Sequence, residues 1–129
     1  MNYRKIMKKI LKQHSDLSGH GWRDGGMTQI EFQQDRKWML TPEALVQFYN
    51  ACQWVKLMLP IKSINQNVTS YGLKHMAERY QRTYIANGIL IAAALHYDYF
   101  YKRCGKDSPN CLFNMSQKSI KEHDVHYDG

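Results

Sequence analysis

No stretch of this sequence stays apolar long enough to cross a bilayer. The longest unbroken run, residues 89–95, is far below the roughly 20 residues that a spanning helix needs. The N-terminus is basic, and lysines separate Ile6 and Met7 from Ile10 and Leu11, so it lacks the apolar core of a secretory signal. A cytoplasmic protein without membrane contact is expected. Cysteine is scarce too. Cys52, Cys104 and Cys111 do not make a disulfide framework, and free thiols are expected in a reducing compartment.

Acidic residues are the other shortage. Eleven Asp and Glu face eighteen Lys and Arg, a formal net charge of +7, and no acid lies between Met1 and His14. The imbalance creates a positive field that attracts polyanions, so it bears on partners rather than on fold. It excludes a mimic of DNA, which needs negative surface. Repeats and low-complexity tracts are absent, and an apolar content of 43% over 129 residues suits a single domain of ordinary size.

What is present points to helices. Tyr3, Ile6, Met7, Ile10 and Leu11 form one stripe over residues 3–14, with Lys5, Lys8, Lys9 and Lys12 largely opposite. Residues 15–26 hold four glycines and are expected to be a mobile loop. Residues 28–38 alternate Ile30 and Phe32 with polar side chains, which suggests a short strand or extended segment. Thr41, Pro42 and Glu43 together signal a helix start, and the apolar spacing carries that helix to Leu59, where Pro60 stops it.

Thr69 or Ser70 can cap a further helix that buries Leu73, Met76, Ala77 and Tyr80 and turns Lys74, His75, Arg79 and Arg82 outward. Residues 89–101 read as another helix, apolar all round at its start and therefore central, with Lys102 and Arg103 at its negative dipole end. Cys111 to Met115 suggests a short strand, and residues 116–129 a loosely held polar tail. The expected fold is mainly α: a compact helical domain with a central all-apolar helix and at most a short two-stranded β element.

Residues 70–116 carry Ser70-Tyr71-Gly72-Leu73-Lys74-His75, Tyr84-Ile85-Ala86-Asn87-Gly88, Ile91-Ala92-Ala93-Ala94 and Pro109-Asn110-Cys111-Leu112-Phe113-Asn114. This pattern resembles one found in small phage and plasmid proteins. The resemblance implies a mobile-element origin and assigns no activity.

Nucleic-acid binding needs cations for phosphates and flat rings for bases. The candidates are Arg4, Lys5, Lys8, Lys9 and Lys12 on the first helix, then Tyr71, Lys74, His75, Arg79 and Arg82, with Lys102 and Arg103 further on. Solvated charge and half-buried tyrosine rings are the plainer account of the same residues. A helix-turn-helix is excluded, because residues 89–95 offer no polar side chain to a base edge. Contacts to the backbone of DNA or RNA are therefore expected.

Catalysis has two candidate pairs, His20 with Asp24 and His75 with Glu78, and neither sits in a recognisable motif. Cys104, Cys111, His123 and His126 depart from structural zinc spacing, so neither metal nor cofactor is expected. The reading favoured is a nucleic-acid-associated accessory protein of a mobile element. The alternative is a phage-borne inhibitor that binds a host protein complex.

Overall fold

A computed structural model describes residues 1–125 of the chain. It is mainly helical. Helix α1 spans Tyr3–Gln13, α2 Gln29–Trp38, α3 Pro42–Val55, α4 Ser70–Gln81, α5 Asn87–His96 and α6 Gln117–Glu122. Two antiparallel hairpins complete the described elements: β1 (Leu17–Ser18) with β2 (Gly21–Trp22), and β3 (Tyr101–Arg103) with β4 (Cys111–Phe113). That is one hairpin more than the single short β element expected.

The centre is α5. Ile89, Leu90, Ile91, Ala92, Ala93 and Ala94 are fully buried, because α3 and α4 pack on this helix together with α1 and β2. A helix without a polar face can lie only inside, and the three alanines let its neighbours approach closely. The helix ends earlier than expected, at His96. Asp98 adopts φ 63°, and the N–H groups of Asp98 and Tyr99 donate to the carbonyls of Leu95 and Ala94. This is a Schellman closure with aspartate in the left-handed position where glycine is usual, so the stop was not visible in the composition. Leu95 is consequently only half-buried, and Lys102 and Arg103 lie on β3 rather than at the end of α5.

Residues 28–38 are helical, contrary to the extended segment expected. Thr28 accepts from the Glu31 N–H while the Glu31 carboxylate accepts from the Thr28 N–H, a complete capping box. The two satisfied N–H groups start a helix that needs only Phe32 buried, so its apolar pattern is thin. Thr41 caps α3 as expected, but that helix closes at Val55. The N–H groups of Leu57 and Met58 turn back to the carbonyls of Trp54 and Val55, and only then does Pro60 follow.

Residues 15–26 are not a free loop. Leu17, Ser18, Gly19, Gly21 and Trp22 are buried, leaving Gly25 and Gly26 exposed. Glycine is required where this hairpin meets the start of α5: a Cβ on Gly88 would lie 1.7 Å from the Ser18 carbonyl oxygen, and the Gly88 N–H donates to the Gly19 carbonyl.

The segment from residue 116 is not a loose tail where it is described. Ser116 caps α6, Ser119 and Ile120 are buried, and Trp54 Nε1 donates to the His123 carbonyl. Residues 126–129 of the expected tail lie outside the described residues. Among the described residues no helix is long and apolar enough to cross a membrane.

Candidate functional site

Helix α1 turns Met7, Ile10 and Leu11 inward, which leaves Arg4, Lys5, Lys8, Lys9 and Lys12 exposed. Its cap is the Asn2 side chain, which accepts from the Lys5 N–H, and its first turn holds no acid. Arg4 also donates to the Leu40 carbonyl at 2.7 Å. A groove between α1 and α2 brings Lys37 and Arg36 opposite Lys8 and Lys12, a juxtaposition that the extended reading of residues 28–38 could not supply. Arg36 is structural there. Its guanidinium donates to the carbonyls of Leu11, His14 and Leu17 and so closes the end of α1.

The basic residues of α4 are placed differently. Lys74, expected on the outer face, is only 6% exposed, and its Nζ lies 3.2 Å from the Glu78 carboxylate. The face assignment failed because α4 is flanked on that side by the turn leading into α5, whose Ile85 N–H donates to the same carboxylate. Tyr80, expected in the buried stripe, is exposed instead. His75 Nδ1 lies 2.8 Å from Glu78, and Arg79 donates to Asp124 at 2.7 Å. Arg82 is the left-handed cap residue that ends α4. Tyr71 stands over His75 with ring centroids 4.5 Å apart. Lys102 is exposed on β3, while Arg103 is half-buried and donates to the Arg23 carbonyl.

Lys74 belongs to a cleft of about 300 Å³. Four segments distant in sequence build it: the β1–β2 turn with Gly19 and His20, α4 with Tyr71 and Lys74, Tyr84 and Asn87 at the approach to α5, and Pro109 with Asn110 before β4. The Lys74 ammonium lies 4.5 Å from the centroid of the Tyr84 ring and 5.2 Å from that of Tyr71. Asn87 Nδ2 donates to the His20 carbonyl and to Asn110 Oδ1, each at 3.0 Å, tying three of the four segments together. Its Oδ1 is buried without a hydrogen-bond partner among the described residues. Sequence reasoning named Tyr71 and Lys74 but missed Asn87, Asn110 and Gly19 as one assembly. The signal available was the clustering of small and amide residues at the chain reversals around 19–21, 87–88 and 109–110.

The two candidate catalytic pairs differ: His75 meets Glu78 at 2.8 Å, whereas His20 is loosely paired. His20 Nε2 lies 3.5 Å from the Asp24 carboxylate, whose pKa is lowered chiefly by the Gly26 N–H and then by His20. Burial pushes the thiols of Cys52 and Cys111 up to about 12, so neither is a thiolate at neutral pH. Among the described residues no three His, Cys, Asp or Glu side chains gather as a metal site. His126 of the weighed zinc set lies outside the described residues. Comparison of the chain with models of known families, with curated proteins and with solved structures gives no match.

Proposed function

We propose that the chain binds nucleic acid through backbone phosphates, as an accessory protein of a mobile element, with α1 as its principal contact. One observation carries this reading: five cations stand exposed on one helix that holds no acid. Lys5, Lys8, Lys9 and Lys12 follow helical spacing, and at about 1.5 Å per residue they extend over about 10 Å. A duplex presents one charge per about 1.7 Å of axis, so that length faces about six phosphate charges. Lys37, across the groove, adds a cation from α2. The mobile-element part of the proposal rests on the resemblance of residues 70–116.

Salt dependence tests the reading. Affinity for an arbitrary duplex is expected to fall steeply between about 50 and 200 mM salt, with a log-log slope near 0.9 per phosphate neutralised. The double change Lys8→Glu with Lys12→Glu should weaken binding to every sequence and flatten that slope. Absence of affinity for DNA and RNA at about 50 mM salt overturns the proposal, because phosphate contacts are strongest there. An inhibitor of a host protein complex, binding an acidic groove, then takes its place.

A further inference from the structure

We infer that the cleft at the start of α5 is a second site, independent of α1, that binds one nucleoside monophosphate unit. The flat ring lies against Tyr84 and Tyr71, and the phosphate is held by Lys74.

Three observations converge on this ligand. The first is a buried cation with capacity left. An ammonium has three N–H donors, and Lys74 gives one to Glu78 at 3.2 Å, which leaves donors for an incoming acceptor inside a desolvated wall. Glu78 is itself committed, since its oxygens also meet His75 and the Ile85 N–H. The second is the pair of rings. Tyr71 and Tyr84 are exposed at the cleft yet lie within 5.2 Å of the ammonium, so a ring stacked on either sits beside the charge that takes its acid group.

The third is the amide wall. Asn87 is only 9% exposed, and its buried Oδ1 has no partner among the described residues. A buried acceptor without a protein partner carries a desolvation cost that an incoming donor removes. Because Asn87 Nδ2 already donates to His20 and Asn110, the amide groups left for a nucleobase edge are Asn87 Oδ1 and Asn110 Nδ2. The volume of about 300 Å³ lies at the lower bound of small-ligand sites, about 300–1,000 Å³, which suits one ring with its acid group and not a peptide or a duplex. A second hollow beyond Tyr84 and His20, reaching Trp38 and Met27, leaves room for chain to continue from the bound unit.

The test titrates the full chain with the four common nucleoside 5′-monophosphates, the matching nucleosides and inorganic phosphate, reading tyrosine and tryptophan fluorescence. Saturable binding of at least one monophosphate, tighter than its nucleoside and than phosphate alone, is expected. Tyr84→Ala, at a position that is 61% exposed, should weaken it about tenfold or more, within the range that stacking on one ring supplies. The charge-neutral double change Lys74→Met with Glu78→Gln should do the same without stranding a buried charge. Lys8→Glu with Lys12→Glu should leave nucleotide affinity unchanged, which separates this site from the phosphate contacts of α1. A 5′-phosphorylated oligonucleotide that displaces the monophosphate identifies a strand end as the source of the unit, and one that fails to displace it identifies the free nucleotide. No saturable binding of any monophosphate at about 10 mM, a concentration that would reveal even millimolar affinity, overturns the inference. Undiminished affinity in Tyr84→Ala overturns it equally.

Discussion

Helices α1 and α4 carry similar basic residues and use them in opposite ways. On α1 the cations stand in water along a helix with no acid. On α4 they are drawn into pairs: Lys74 and His75 share Glu78, and Arg79 reaches Asp124 at the far end of the described chain. The difference teaches that a count of lysines and arginines does not measure available charge. What decides availability is whether a carboxylate comes within reach after folding, and a single acid on α4 holds two of its basic residues. Charge on α1 is left in solvent, whereas charge on α4 is paired within the fold and lines a cleft.

The largest effect that would break this comparison is removal of the acid on α4. Glu78→Gln strands the Lys74 ammonium, and breaking a buried pair costs about 3 kcal/mol at the lower end of its range, appropriate because water still reaches part of Glu78. The corresponding neutralisation on α1, Lys8→Gln, should change stability by no more than about 0.5 kcal/mol, as exposed positions do. Urea unfolding of the two variants measures both, and equal losses would show that the two helices do not differ in kind.

A smaller effect comes from the outer pair of α4. Arg79→Met or Asp124→Asn should cost about 0.5–1 kcal/mol, since Arg79 remains 39% exposed on its side chain and solvent weakens the attraction. A double-mutant cycle isolates the pair, and a coupling of zero would return Arg79 to the class of available cations.

The smallest effect sharpens the contrast from the side of α1. His14, the residue that closes this helix, has its pKa lowered by burial, against the edges of Trp22 and Tyr101. A histidine with a lowered folded pKa binds fewer protons than its unfolded counterpart. Its contribution is therefore fully present above the unfolded value near 6.5, and it is lost as pH falls through the folded value. Unfolding free energy measured from about pH 7 to 5 should decline, and His14→Gln should flatten that part of the curve. An unchanged slope in the variant would place the loss elsewhere.

The mainly helical fold was legible because its strongest signals are local. Thr41-Pro42-Glu43 marks a helix start, and the apolar run at 89–95 can only be a core. What was missed depends on partners distant in sequence. Residues 28–38 looked extended because one buried Phe32 gives little periodicity, although Thr28 and Glu31 already spelled the capping box. Lys74 looked outward on a helical wheel, and only the chain returning through Tyr84 to Asn87 covers it. The α1 face was readable from one segment. The cleft was not, because its walls come from residues as far apart as Gly19 and Asn110.

The burial of α5 also sets an order for synthesis. The elements that pack most extensively on it, α1, β2, α3 and α4, precede it in the chain. A growing polypeptide therefore carries the apolar stripes of α1 and α3 out of the ribosome with nothing central to close upon, and the core can consolidate only after His96 has emerged. Three quarters of the chain is made before that point, at a translation pace of about 5–20 residues per second. Over those seconds α1 displays its cations beside its unburied Met7, Ile10 and Leu11, and like charge opposes the approach of one nascent chain to another.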